Sequence, residues 1–321
     1  MTDFRDNLYI DKDHPIFRGP LFVGQGGSPT LKASYLASPD SEDAVTWSVF
    51  QTLSRIPPNH WLGEFIRRST SRSRTRFPVD CLVGSWLGGL IRRSTGVAVT
   101  ISDCDTVDIK FWPHVPAPQS RLLWLLDHLD DPRIQESEGA GTGADADPGR
   151  LERIRRQLAS YWEKAQSGRL VRDIAVLEGE TELDALIEHP RFLVAIEAKY
   201  TADLHPHTKW DRERDQLGRV IDIAIELSSQ QRKPGFAVLV TDRRSHDQPK
   251  LYEHLAPRYQ DREFLREKLP HRTTEELDRP AGVGWITWRE VLDGVDQQGL
   301  SGCDRQLLSG LADYLRTRGL W

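Results

Sequence analysis

Residues 180–200 read Glu-Thr-Glu-Leu-Asp-Ala-Leu-Ile-Glu-His-Pro-Arg-Phe-Leu-Val-Ala-Ile-Glu-Ala-Lys-Tyr, and the fold turns on how this stretch is read. It divides into two strands, about 181–188 and 192–199, with a turn around His189-Pro190-Arg191. Side chains on a strand alternate between its faces. Leu183, Ala185 and Ile187 therefore share one face, and Val194, Ile196 and Ala198 form the matching face of the partner. That face is wholly apolar. The other carries Asp184, Leu186, Glu188, Ala195, Glu197 and Lys199. If the apolar face packs against a helix, Asp184, Glu197 and Lys199 point together to the opposite side.

The turn sets the register. A two-residue turn at Pro190-Arg191 places Asp184 directly opposite Glu197, and one at His189-Pro190 places them on a diagonal. A three-residue loop would put them on opposite faces unless a bulge intervenes. The hydrophobic pattern favours the registers that bring the two acids together and leaves the turn itself open.

Two carboxylates and a lysine beside an apolar strand pair form a usable chemical set. Carboxylates hold a hard divalent cation such as Mg2+, which keeps several waters and needs few protein ligands, and Mn2+ suits the same donors. A neighbouring lysine can position or help deprotonate an attacking water, or stabilise charge on a phosphate. The set resembles the PD-(D/E)XK nuclease superfamily, whose motif is an acid on one strand and Glu-x-Lys or Asp-x-Lys on the next. Here the matching residues are Asp184 and Glu197-Ala198-Lys199. The resemblance implies a restriction-endonuclease-like fold, with Asp184 and Glu197 as metal ligands and Lys199 as the catalytic lysine. It also implies metal-dependent hydrolysis of phosphodiester bonds, with DNA as the expected partner. The proline that often precedes the first acid is absent, because Leu183 stands there. One other lysine has an acid two residues before it, Lys110 after Asp108. It lacks a partner strand carrying a further acid and reads as an edge strand with solvated charges.

Upstream, residues 41–53 read as a helix. Ser41 or Asp40 caps it, Glu42 and Asp43 fill its first turn, and Val45, Val49 and Leu53 recur on one face. By the resemblance this helix carries a glutamate toward the metal, and Glu42 is that residue. Glu163, on a second helix over 151–167, competes for the role, because that helix stands directly before a strand expected over 170–177. Read without the resemblance, Glu42 and Asp43 only complement the helix dipole.

Between these helices, residues 60–135 read as an insertion. Its run 67–76 contains Arg67, Arg68, Arg72, Arg74 and Arg76 among serines and threonines. Such a run makes phosphate contacts that are sequence-neutral and salt-sensitive, or else is a solvated loop. Residues 137–149 are rich in glycine and read as a surface loop.

Downstream, His205 and His207 flank Pro206 and read as loop residues. A helix over about 212–229 follows, with Leu217, Val220, Ile221, Ala224 and Ile225 on its core face. Gln216 and Arg219 lie three apart beside that face. RecB-like members of the superfamily carry a glutamine on this helix, so the resemblance implies that Gln216 helps fix the metal site or a phosphate. The residues alone also fit an exposed polar face, and Arg219 beside it is read as a nucleic-acid contact. The tyrosine common in those relatives is replaced by Arg219. Residues 236–241 form an apolar run suited to a buried strand.

The 321 residues carry a net charge of −5, which excludes a globally basic nucleic-acid coat and leaves local patches to bind it. Cys81, Cys104 and Cys303 are widely spaced and form no metal-ligand pattern, which fits reduced thiols in the cytoplasm. No apolar run approaches a membrane span and the first residues read as no signal peptide. The expected architecture is α/β, a mixed central sheet flanked by helices. Residues 1–150 hold the first helix and the arginine-rich insertion, and residues 151–321 hold the nuclease core. Cutting both strands often needs two sites, which points to a homodimer. The competing class is a non-catalytic nucleic-acid-binding or scaffold module on the same fold.

Overall fold

The computed structural model describes residues 4–23, 30–70, 80–82, 90–92, 98–101, 105–134, 156, 158–167, 178–208, 211–278 and 282–321. Arg72, Arg74 and Arg76, the strand expected over 170–177 and the loop over 137–149 lie outside the described residues.

The centre is a five-stranded mixed sheet flanked by helices. Its strands are β4 (Asp108–Phe111), β7 (Ala185–His189), β8 (Phe192–Ala198), β9 (Gly235–Thr241) and β10 (Gly282–Thr287), in spatial order β10-β9-β8-β7-β4. β4–β7 and β7–β8 are antiparallel, whereas β8–β9 and β9–β10 are parallel. A small antiparallel sheet of β1 (Asp80–Leu82), β2 (Leu90–Arg92) and β3 (Ala98–Thr100) stands apart, and β5 (His114–Val115) pairs with β6 (Thr181–Glu182).

The turn left open by the sequence is Pro190-Arg191, because His189 pairs with Phe192 and Ala185 with Ile196. The strand expected over 181–188 is broken, however. β6 ends at Glu182, β7 begins at Ala185, and Leu183 and Asp184 step out of the ladder between them. That step moves Leu183 off the face of Ala185 and Ile187. Leu183 packs with Leu186, Leu193 and Ala195, while Ala185, Ile187, Val194, Ile196 and Ala198 form the opposite core.

Both faces of the sheet are covered, so β8 and β9 are buried along their whole length. One face packs on α2 (Glu42–Leu53), α3 (Leu62–Thr70) and α11 (Gly302–Thr317), through Val49, Phe50, Phe65, Ile66, Leu311 and Leu315. The other packs on α6 (Gln216–Gln231) and α7 (Leu251–Arg258), through Val220, Ile221, Ala224 and Tyr252. α6 starts later than the expected 212, because Asp215 caps it by accepting from Gly218 N (2.9 Å). Gly235 opens β9 hard against α6, and a Cβ there would lie 2.6 Å from the Ala224 carbonyl oxygen. Only glycine fits that approach.

Residues 60–135 are not simply an insertion. α3 contributes Phe65 and Ile66 to the main core, and β4 is the edge strand of the central sheet. The sheet therefore spans residue 150. α4 (Gln119–Asp127) and α5 (Leu158–Gln166) pack together around Leu122, Leu125 and Leu126, with Tyr161 and Trp162 against them. Among the described residues no helix is long and apolar enough to cross a membrane.

Candidate active site

Asp184 stands at the break between β6 and β7. Its N–H donates to the Ile196 carbonyl (3.2 Å), and its Oδ2 accepts from Ala198 N (2.6 Å). The β7–β8 register, extended by one residue, sets it opposite Glu197. The carboxylate is thus turned across the end of β8, where Glu197 and Lys199 follow. Glu197 is 1% exposed and Lys199 5%.

The Lys199 backbone is held from two sides. Its N–H donates to Val240 of β9 (2.7 Å), and its carbonyl accepts from Trp288 Nε1 (3.1 Å). Its ammonium lies 2.8 Å from Glu197 Oε1 and 3.2 Å from Glu42 Oε2. Glu42 Oε1 in turn accepts from Tyr200 N (3.1 Å). The Ser41 side chain caps α2 by accepting from Ala44 N (3.1 Å), which fixes the first turn that presents Glu42. Glu163 is exposed on α5, which packs on α4. Of the two candidate glutamates, Glu42 is the one brought to Lys199.

Burial governs the electrostatics. It pushes the Asp184 carboxyl well above the usual carboxylate range, and the Glu197 charge pushes it further against the pull of Lys199. Burial also raises Glu197, while Lys199 pulls it down, Glu42 pushes it up and Arg219 pulls it down. For Lys199, burial works against the ammonium, but Glu197, Glu42 and Asp184 together hold it above the ordinary lysine range. The cluster is two crowded acids beside a firmly protonated lysine.

One acid oxygen in this set is left over as a donor. Glu197 Oε1, though ion-paired with Lys199, is buried without an aligned hydrogen bond. Among the described residues no three His, Cys, Asp or Glu side chains converge as a complete metal cage. The donors are two acids, which suits Mg2+ with its retained waters and does not suit zinc.

A second cluster adjoins the first, and no local sequence pattern announces it. Lys32, on α1 (Leu31–Leu36), places its ammonium 2.9 Å from Asp43 Oδ1 and 2.6 Å from Glu182 Oε1. It also lies 4.9 Å from the Trp112 ring centroid. Trp112 Nε1 donates to Asp43 Oδ1. Trp112 itself adopts φ 51°, a left-handed conformation that costs a bulky residue on the order of 1–3 kcal/mol. The Asp43 charge reaches Asp184 and adds to its upward shift.

Comparison with family models, with curated proteins and with solved structures found no match to this chain. Its function rests on geometry.

The remaining sequence candidates fall around this centre. Gln216 Oε1 accepts from His205 N (3.2 Å), so the side-chain oxygen pins the loop after β8 rather than engaging Asp184 or Glu197. His205 and His207 are exposed in that loop. Arg219 Nη2 donates to the Glu180 carbonyl (3.0 Å), and its charge bears on Glu197. Arg67 and Arg68 belong to α3, where both pair with Glu64, and so are not part of a loop. Lys110, the other acid-x-lysine residue, pairs with Glu188 on the open edge strand (2.5 Å).

Proposed function

We propose that this chain is a metal-dependent nuclease that hydrolyses phosphodiester bonds, with DNA as the first substrate to test. The observation that carries the reading is the meeting of Asp184, Glu197 and Lys199 at the end of β8, with Glu42 closing the set from α2. Support also comes from the chain order α2, β7, β8, α6, β9 around a mixed sheet, which suits a restriction-endonuclease-like fold. One departure is that the strand beside β7 comes from residues 108–111.

In this reading Asp184 and Glu197 hold Mg2+, or Mn2+ in its place. When bound, the ion supplies Lewis-acid stabilisation of the charge that builds on the phosphate. In the metal-free chain Glu197, Glu42 and Asp184 hold Lys199 as an ammonium, which suits it to donate to a phosphate oxygen. Glu42 orients that ammonium. The Arg219 charge reaches Glu197 and would add to the positive charge available to a phosphate backbone.

A second reading, a non-catalytic nucleic-acid-binding module, draws on the ion pairs that already neutralise part of the acid cluster. Incubation of plasmid, single-stranded DNA and RNA with Mg2+ or Mn2+ separates the two. Cleavage that Lys199→Ala and Asp184→Ala both abolish while folding normally supports the nuclease. Binding of nucleic acid without cleavage, and without Mg2+ uptake, supports the module.

A further inference from the structure

Lys32 and Lys199 occupy equivalent places in two adjoining clusters. Lys199 sits between Glu42 of α2 and Glu197 of β8. Lys32 sits between Asp43, the next residue of α2, and Glu182 of β6, two positions before Asp184. The two acid–lysine pairs are thus joined at both ends, through Glu42-Asp43 and through Glu182-Leu183-Asp184.

We infer that the Lys32 ammonium stands in for a second divalent ion, so that the site takes one metal ion per chain. The inference rests on the nuclease reading above. Carboxylate pairs separated by a few ångströms suit two-metal hydrolysis when both pairs are open to ions. Here the Asp43–Glu182 pair is closed. Both carboxylates contact the Lys32 ammonium, Asp43 also accepts from Trp112 Nε1, and the Trp112 ring lies beside the ammonium. The Lys32 side chain is only 12% exposed. A second ion would have to displace a largely buried ammonium from two acceptors and an aromatic ring.

Charge points the same way, because Lys32 already supplies the positive charge that Asp43 and Glu182 face. Lys32 also brings α1 to the site edge, so a fixed cation on the protein takes the place of a mobile one from solution.

The test is the stoichiometry of Mn2+ binding to the intact chain, read by calorimetry and by the resonance signal of free Mn2+. The expected result is one site per chain for wild type, none for Asp184→Asn, and a second, weaker site in Lys32→Met, where Asp43 and Glu182 lose their ammonium. Two sites in wild type would overturn the inference and leave the nuclease reading standing. One site in Lys32→Met, with the variant folded, would also overturn it. No site in wild type would overturn the metal-dependent reading itself. Should Lys32→Met not fold, Lys32→Gln, which keeps a polar group between Asp43 and Glu182 but removes the charge, is read by the same count. A second site is expected there, and a single site would overturn the inference.

Discussion

Lys199 Nζ lies 3.2 Å from Glu42 Oε2, joining the end of β8 to the first turn of α2 across 157 positions of chain. With Glu197 on its other side, the ammonium is the counter-ion of a buried acid cluster as well as a candidate catalytic group. Removing one partner of a buried ion pair costs about 3–5 kcal/mol, because the other charge is left uncompensated. Lys199→Met, which keeps the length of the side chain, is therefore expected to destabilise the metal-free protein by about that much. Denaturant unfolding measures it, and added Mg2+ is expected to restore part of the loss.

Asp184 behaves in the opposite sense. Burial, then the Glu197 charge, raises its folded-state carboxyl well above the ordinary value. Such a group takes up protons on folding, so the metal-free protein loses stability as pH rises from about 4 through the folded-state value. Asp184→Asn removes the burden while leaving an oxygen to accept from Ala198 N. In EDTA at about pH 7.5 the variant is expected to melt above wild type, by about 1–2 °C for each kcal/mol relieved. The gap is expected to close near pH 4.

The same shifts govern ion uptake. Asp184 and Glu197 are both raised, primarily by burial, and must be ionised to ligate. Mg2+ binding is expected to release protons and to tighten as pH rises toward the folded-state values. Calorimetry in buffers of different ionisation enthalpy reads the proton count directly. Affinity that is flat with pH would contradict it.

Asp222 anchors a buried ionic lattice that adjoins the site through Glu178 and Arg219. It accepts from Arg214 (2.7 Å) and Arg272 (2.6 Å) and faces His271 Nε2 (2.9 Å), while Arg214 also holds Glu178 (2.7 Å). Burial opposes ionisation of Glu178, but Arg214 and Arg121 hold it at about 2. Burial likewise opposes Asp222, yet His271, Arg214 and Arg272 keep it well below the usual range. Its contribution to stability is present above the ordinary aspartate value and is lost as pH falls toward the folded-state value. Asp222→Ala is expected to cost about 3–5 kcal/mol, measured by denaturant unfolding.

Gly235→Ala tests the seat of α6 on β9. The added Cβ would meet Ala224 O at 2.6 Å and Ser228 Cβ at 2.9 Å. The expected loss is about 1–3 kcal/mol, measured by denaturant unfolding.

The local periodicity of residues 180–200 favours the registers that bring Asp184 and Glu197 together, and the Pro190-Arg191 turn, which the sequence leaves open, selects one of them. The capped helix that carries Glu42 was legible through Ser41 and the i, i+4 apolar positions. The step at Leu183-Asp184 was not, since an apolar–acid alternation reads the same whether or not the ladder is interrupted. Lys32 was also invisible. It meets Glu182 across 150 positions, and nothing in a six-residue helix signals a long-range ion pair. Arg67 and Arg68 read as the start of a basic loop on local charge density, but the pull of Glu64 and the burial of Phe65 and Ile66 outweigh it and set them on α3.

Cleavage of DNA and RNA in Mg2+ by wild type beside Asp184→Asn tests the central claim most directly, because the substitution removes the carboxylate proposed to ligate the metal while leaving an oxygen to accept from Ala198 N. The expected result is cutting by wild type and a rate lower by about 10²-fold or more in the variant, with the variant at least as stable without metal. Equal cutting by both proteins, or no cutting of either nucleic acid by wild type, would contradict it.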